Sequence, residues 1–332
     1  MKRLLIATDA WSPQVNGVVR TLQTTGEELV RRGLEVLFIT PNDFKTIPCP
    51  TYPEIRLAIL PGSQVASQID AFKPDAIHIA TEGPLGWATR NAALRRGLCF
   101  TTAYHTRFPE YVKARSGLPT SVTLSVLRAF HQPSQGIMVP SKTIIDQLAA
   151  QGFRRLKHWT RGVDTALFRP KPTERPQHPI FLYVGRVAVE KNIEAFLRLD
   201  LPGEKWVVGD GPSMSRLSRR YPDVRWLGVR KGEPLAQAYN DASVFVFPSR
   251  TDTFGLVMAE AMACGTPVAA FPVPGPLDVV GPGSGVLNEN LRQACLDALP
   301  LPRSGVLEWA RQFTWKNATD QFLSYLVPAS PH

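Results

Sequence analysis

Two carboxylates, Asp252 and Glu260, flank a loop that opens into a helix. The apolar run Val244-Phe245-Val246-Phe247 has β character and ends at Pro248. A polar loop, Ser249-Arg250-Thr251-Asp252-Thr253, leads into a helical run from Gly255 to Cys264. The first amides of a helix have no intrahelical acceptor, and the macrodipole gives them partial positive charge, so this place suits phosphate oxygens. Asp252 lies at the loop tip and Glu260 roughly two turns further on, close to the same helix face. Each acid could grip hydroxyls at one end of a bound diphosphate, and a sugar nucleotide has that layout. In the plainer alternative, Asp252 caps the helix and Glu260 is an ordinary charge on it.

Other residues invite the same question. Arg186 and Lys191 straddle a turn from the strand Ile180–Val184 into a helix opening at Glu190-Lys191-Asn192. Both could reach one diphosphate and neutralise a leaving group, or each could make a surface ion pair, Lys191 with Glu194 for example. His105 follows the strand Cys99–Ala103, at the strand end where ligands of open α/β sheets gather. A lone histidine there can equally be a hydrogen-bonded structural residue. His78 and His131 have no comparable setting and read as structural.

These residues need parallel strands behind them. Residues 3–8 read as a buried strand, a loop runs from Asp9 to Asn16, and Gly17 opens a helix that Gly33 ends. Leu34–Ile39, Asp75–Ile79, Cys99–Ala103 and Gly136–Val139 continue a strand and helix alternation, which predicts a parallel sheet covered on both faces. The first glycine loop lacks the G-x-G-x-x-G spacing, so a dinucleotide site is not supported. Within 107–132, Leu124, Val126, Leu127 and Phe130 are expected on one apolar helix face, beside Arg107, Lys113, Arg115 and Arg128. The proline-rich stretch 169–178 reads as a linker. A second alternation follows, with strands at Ile180–Val184, Trp206–Val208, Val224–Leu227, Val244–Phe247 and after Gly265, then helices at Asn288–Leu299 and Ser304–Gln312.

Composition agrees with two ordinary globular domains: 332 residues, 44% hydrophobic and 20% charged. No apolar run approaches a membrane span, and the start lacks a signal-peptide pattern, so a cytoplasmic protein is expected. Four scattered cysteines make neither a zinc pattern nor a disulfide framework. The net charge of +10 is uneven: residues 1–160 carry 19 Lys and Arg against 11 Asp and Glu, a surplus of 8, and the remainder 19 against 17, a surplus of 2. A basic first half suggests an anionic partner, nucleic acid or an anionic bilayer. Basic stripes with interleaved aromatics are absent, so nucleic acid is not expected.

Several motifs in order, over nearly the whole chain, resemble retaining GT-B glycosyltransferases of the family 4 type. The segment from Asp252 to Glu260 is similar to that family's E-x7-E segment, with aspartate in place of the first glutamate. Tyr104-His105-Thr106-Arg107-Phe108 matches its H-T-x-F, Gly162-Val163-Asp164 with Phe168 its G-V-D-x-x-x-F, Gly185-Arg186 with Glu190-Lys191-Asn192 its G-R-x-x-x-E-K-N, and Gly209-Asp210-Gly211-Pro212 its G-D-G-P turn. The wording of residues 7–21, with Tyr104-His105-Thr106 and Thr251-Asp252-Thr253-Phe254-Gly255, resembles the branch of GDP-mannose-dependent α-mannosyltransferases and related diacylglycerol glycosyltransferases.

The resemblance implies two doubly wound Rossmann-like domains facing an interdomain cleft. The domains would be 1–168 on the acceptor side, a linker at 169–178, and 179–314 for the nucleotide sugar, with a terminal helix at 315–327 packed back on the first. It implies catalytic roles for His105, Arg186, Lys191 and Asp252, and donor contacts from Gly17, Arg161, Gly185, Val229, Thr253, Phe254, Gly255, Leu256, Val257 and Glu260. Glu260 would hold the ribose, and the base would be read largely by backbone near Val229. No metal or cofactor is implied, no D-x-D motif is present, and no protein nucleophile or general base is named. The donor is expected to be GDP-mannose, UDP-glucose or UDP-glucuronate. The expected acceptor is a lipid, such as diacylglycerol or a glycolipid, at the anionic inner face of a membrane. A polysaccharide or small-molecule acceptor, and a nucleotide-sugar epimerase on the same fold, are the alternatives.

Overall fold

A computed structural model of the chain describes residues 1–14, 16–49, 52–105, 120–172 and 178–330. Arg107, Lys113, Arg115, the 106–108 part of the histidine motif and the 173–177 part of the linker lie outside them. The chain forms two compact units, Met1–Thr160 with Trp315–His332, and Arg161–Thr314.

The first unit holds a parallel sheet of six strands: β1 (Arg3–Ala7), β2 (Glu35–Ile39), β5 (Ala76–Ile79), β6 (Thr101–Ala103), β7 (Ile137–Val139) and β8 (Leu156–His158). Their order is β2-β1-β5-β6-β7-β8. Side chains alternate across a strand. Leu5 and Ala7 of β1 therefore enter one core, with Ile77, Ile79 and Phe130, while Leu4 and Ile6 enter another, with Leu22, Trp159 and Phe322. Burial on both faces is why β1 reads as a continuous apolar run and not as an alternating one.

The helix Gly17–Arg31 shows how local sequence sets the element ends. Asn16 caps it, its side-chain oxygen accepting from the Val18 and Val19 amides at 3.0 Å each. Gly33, at φ +84°, closes it: its amide donates to the Val30 carbonyl, and the Leu34 amide to Leu29. The helix Trp315–Tyr325 belongs to this unit as well. The Trp159 Nε1 donates to the Ala318 carbonyl at 3.0 Å, Phe322 packs against Trp159 and His78, and Arg32 pairs with Asp320.

Some features depart from expectation or were not anticipated. In the helix Thr120–His131, Leu127 and Phe130 are buried and Leu124 partly so, but Val126 is 51% exposed. One residue turns a helix by about 100°, which carries Val126 off the face that Leu127 buries. Between β2 and β5 lie an antiparallel hairpin, β3 (Thr46–Cys49) with β4 (Tyr52–Ala58), and a helix, Gly62–Phe72.

The second unit repeats the plan. Its strands are β9 (Ile180–Val184), β10 (Glu204–Val208), β11 (Arg225–Gly228), β12 (Val244–Phe247), β13 (Val268–Ala270) and β14 (Gly285–Leu287), all parallel, in the order β11-β10-β9-β12-β13-β14. The first strand thus stands in the middle. Crossovers leave it in one direction and return on its other side, which makes β9/β12 the topological switch point where open α/β sheets bind ligands. Register between these two strands runs from Val244↔Phe181 to Phe245↔Leu182, and the last residues of both strands lie beyond it. Both sheets are thus doubly wound and Rossmann-like, as the motif order predicts.

In the first unit, Asp9, just after β1, takes the amides of Leu85 (2.9 Å) and Gly86 (3.3 Å) at the start of the helix Pro84–Arg95, and the Thr81 hydroxyl at 2.9 Å. Burial raises the Asp9 carboxyl above its usual range against the lowering effect of these bonds. The fit is close: a Cβ on Gly86 would stand 1.9 Å from the Thr81 carbonyl oxygen. Alanine normally gains about 1 kcal/mol over glycine in a helix, whereas overpacking costs about 1–3 kcal/mol or more. A contact this short with backbone makes overpacking win. Gly86→Ala is expected to lower the urea midpoint. Gly62→Ala, with nothing within 4 Å of its Cβ, is expected to leave the midpoint unchanged or raise it.

Candidate active site

The loops after β9 and β12 meet at the switch point. After β9, Gly185 takes φ +156°, and a Cβ there would come within 2.9 Å of the Tyr183 hydroxyl. That hydroxyl donates to the Arg186 carbonyl at 2.8 Å, while the Gly185 amide donates to Val208 and the Val187 amide to Asp210. Arg186 therefore sits on a backbone fixed from three directions. Burial holds the Tyr183 hydroxyl well above its usual range, and the carboxylates of Asp252 and Glu190 push the same way, so it stays a donor.

Val189–Lys191 then form a 3-10 turn, and Asn192 adopts left-handed backbone at φ +51°. Asparagine tolerates that conformation. Its side chain donates to the Pro248 carbonyl at 3.0 Å, and the Thr251 hydroxyl to the Glu190 carbonyl at 3.2 Å, so the two loops are tied together. Across that tie, the Lys191 ammonium meets Asp252 Oδ1 at 2.5 Å, with the side chains 24% and 20% exposed. Glu194, the alternative partner for Lys191, is instead surrounded by Arg198, Arg216 and Arg220. The other Asp252 oxygen, Oδ2, is buried with no hydrogen-bond partner among the described residues. A buried acceptor left this way costs about 1–3 kcal/mol.

Asp252 does not cap the helix that follows. The helix is Leu256–Ala263, and its N-cap is Gly255, at φ +83° and without a side-chain cap bond. A Cβ on Gly255 would lie 2.8 Å from Met258 Cε and 3.0 Å from Phe247 Cζ. The amides of Leu256 and Val257 head the helix, where no preceding turn supplies carbonyls. Thr253 is partly buried beside them. The Phe254 ring turns inward, edge-on to Phe313 at 5.9 Å, which leaves its backbone for any ligand contact. Gly275 closes over the loop, since a Cβ there would lie 2.8 Å from the Asp252 carbonyl oxygen.

Glu260 is not an ordinary surface charge. It is 2% exposed, and its Oε2 accepts from the Tyr239 hydroxyl at 2.9 Å. Val229, just past β11, is 60% exposed. Gly17, His105 and Arg161 stand apart from this group along the chain. Gly17 begins the helix behind Asn16 in the first unit. His105, also in that unit, is buried just past β6 with its ring edge-on to Trp159 at 5.7 Å. Arg161, which begins the second unit, is buried, and burial lowers its guanidinium to about 9, so it stays charged at neutral pH.

The structure thus gathers Gly185, Arg186, Lys191, Asp252, Thr253 and Gly255 on two tied loops, with Leu256 and Val257 heading the helix and Glu260 little more than one turn into it. Tyr183 and Tyr239 were not anticipated. Tyr183 sits in an apolar run and Tyr239 on a mixed helix ending Tyr239-Asn240-Asp241, and the signal available was that a buried tyrosine hydroxyl needs a partner. Among the described residues no group of three or more His, Cys, Asp or Glu is placed to hold a metal ion.

Two doubly wound units with this site at the second switch point define the GT-B class. A solved sucrose-phosphate synthase from Thermosynechococcus elongatus shares the fold, with a TM-score of 0.76, 22% identity and 98% of each chain covered. Residues 15–167 match the model described as Glycosyltransferase Family 4, and residues 178–299 that of Glycosyl transferases group 1. The chain is 30% identical over 309 residues to a GDP-mannose-dependent alpha-mannosyltransferase of Mycobacterium tuberculosis, covering 84% of this chain and 82% of the relative. It is 26% identical to an alpha-monoglucosyldiacylglycerol synthase of Streptococcus pneumoniae, over 81% of this chain and 70% of the relative. The protein belongs to the family 4 glycosyltransferases and is a glycosyltransferase.

Cys264 closes the helix that carries Glu260. Burial first, and the Glu260 charge second, push its thiol up to about 12, and burial alone pushes Cys295 to about 12. At pH 8 an aromatic disulfide reagent is expected to modify Cys49 and Cys99 and to reach Cys264 and Cys295 after denaturation. Rapid native labelling of Cys264 would mean that the helix carrying Glu260 opens readily.

Proposed function

We propose that this glycosyltransferase moves a hexose from a nucleotide sugar to a lipid acceptor, without a metal ion and with the anomeric configuration retained. The observation that carries the reading is the Lys191–Asp252 pair at the switch point, with a buried Asp252 oxygen that has no donor among the described residues, beside a helix start. A cation and helix amides suit the diphosphate, and the carboxylate suits the hydroxyls of the sugar next to it. In this reading Arg186, Lys191 and the amides from Thr253 to Val257 stabilise the departing diphosphate, Asp252 takes sugar hydroxyls, Glu260 the ribose, and backbone at Val229 the base. Residues 179–314 would hold the donor and residues 1–168 would serve the acceptor. Gly17, His105 and Arg161 keep the donor-side roles that the family resemblance assigns.

The acceptor hydroxyl oxygen bonds to the anomeric carbon as the bond from that carbon to the phosphate oxygen breaks. The leaving phosphate takes the acceptor proton, so no protein nucleophile or base is required. GDP-mannose is the favoured donor, with the mycobacterial relative's name in support, and UDP-glucose and UDP-glucuronate are the competitors. The pneumococcal relative's name supports diacylglycerol or a related glycolipid as acceptor, and the basic surplus of residues 1–160 fits peripheral docking on an anionic membrane. No helix among the described residues is long and apolar enough to cross a membrane.

Melting curves with GDP, UDP and ADP in the presence of EDTA test the donor site. A ligand at 100 times its Kd stabilises by about 2.7 kcal/mol, so one of the three is expected to raise Tm clearly. Arg186→Ala and Lys191→Ala are expected to weaken that nucleotide about 10- to 100-fold, as loss of a charge-assisted bond does. With the matching nucleotide sugar and diacylglycerol vesicles, the product should show the donor's anomeric configuration by NMR. Flat melting curves for all three nucleotides, with Arg186→Ala behaving as the parent, would sink the donor reading.

A further inference from the structure

We infer that Tyr239 is a positioning residue for Glu260, setting the carboxylate on which recognition of the donor ribose depends. This rests on the ribose role given to Glu260 above and adds the residue through which that role is exerted.

Tyr239 lies on the helix Glu233–Asp241 and is fully buried. Phe168 and Phe245 meet its ring edge-on, at 5.8 and 5.7 Å between centroids. The Tyr239 carbonyl accepts from the Thr266 hydroxyl at 2.6 Å, which pins the backbone beneath the ring. A ring held this way in a close-packed core has one rotamer. Its hydroxyl therefore points in a fixed direction, and that direction is Glu260 Oε2 at 2.9 Å.

Packing does not require the hydroxyl. The rings around it are phenylalanines, and a phenylalanine would fill the same space. What the hydroxyl adds is one donor to a carboxylate that is 2% exposed. A glutamate has three side-chain torsions, and the outermost is broad and loosely defined. The Tyr239 bond to Oε2 restrains that outer torsion and so narrows the directions in which the carboxylate can accept. A vicinal diol, with two hydroxyls at fixed spacing, is the ligand for which those directions matter most, and a ribose presents one.

The test is a binding cycle on the full chain. Parent and Tyr239→Phe are titrated with GDP, UDP and ADP, with the 2′,3′-dideoxy form of each, and with inorganic pyrophosphate. In the parent, removing the ribose hydroxyls from the nucleotide that binds is expected to weaken it about 30-fold, and in Tyr239→Phe only about 3-fold, a coupling typical of groups in one hydrogen-bond network. Pyrophosphate affinity is expected to be equal in the two proteins, which a general loosening of the fold would not leave unchanged. Equal discrimination in both proteins overturns the role of Tyr239 and leaves the ribose role of Glu260 standing. A parent that binds full and dideoxy nucleotides alike overturns both. If Tyr239→Phe does not fold, Thr266→Val, which frees the Tyr239 backbone while keeping the hydroxyl, replaces it. It is expected to reduce discrimination in the same direction, and full parental discrimination in it overturns the proposal.

Discussion

An ammonium and a carboxylate separated by 61 residues of sequence meet at the one place in the second sheet where the crossovers reverse. The Lys191–Asp252 pair joins two loops that have no strand pairing to hold them, since the β9 and β12 register ends before either loop begins. An exposed pair would be worth about 0.2–1 kcal/mol and could not organise a site. This pair is three-quarters or more shielded and is braced on each side, by Asn192 on Pro248 and by Thr251 on Glu190. The braces use backbone carbonyls, so the geometry depends on where the chain runs more than on any further side-chain rotamer.

The rest of the second unit protects that geometry. Gly185, Gly255 and Gly275 all take left-handed or otherwise glycine-favoring backbone where a Cβ would strike a loop or a neighbouring ring. Tyr183 fastens the Arg186 backbone from beneath, and Tyr239 fastens Glu260 from the side. Tyr183 projects from a strand buried throughout, and Tyr239 from the buried face of its helix, beside Ala236 and Ala238. Polar atoms of the site are thus held by groups rooted in the two hydrophobic clusters on either face of the sheet, and rigidity there passes directly into the loops.

Most strands of the two parallel sheets were legible as apolar runs, β1, β9 and β12 most plainly, and several helix ends as local signals, whereas β8 (Leu156-Lys157-His158) and β14 (Gly285-Val286-Leu287) are too short and too little apolar to read as strands. Asn16, Gly33 and the proline at position 84 are such signals, acting within a few residues. The hairpin strands were not anticipated: β3 is only four residues long and contains Pro48, a residue that argues against a strand, and its register shifts beside Cys49. The single apolar face proposed for Leu124, Val126, Leu127 and Phe130 counted apolar letters without their angular spacing, which leaves Val126 in solvent. At the site, residue types were legible and partnerships were not. Lys191 has an acid three residues ahead, and only the fold reveals that the distant Asp252 wins it while Glu194 goes to three arginines. Tyr239 and Glu260 lie 21 residues apart in runs that each look like ordinary core helix.

The aspartate at 252 gives the site its particular character. A shorter side chain keeps its carboxylate close to its own loop, so the longer, flexible lysine must cross to it. An ammonium carries three donors, and engaging one with Oδ1 is compatible with a second anionic acceptor at the helix start. The carboxylate in turn presents Oδ2 as an acceptor that the described protein does not fill. Cation and acceptor are therefore supplied side by side by one nearly neutral pair. A free phosphate would meet the carboxylate as a repulsive neighbour, and a free sugar would forgo the cation and the helix amides. A phosphate bonded directly to a hydroxyl-bearing ring would satisfy both halves at once, which is why the proposed donor role rests on the pair and not on either residue alone.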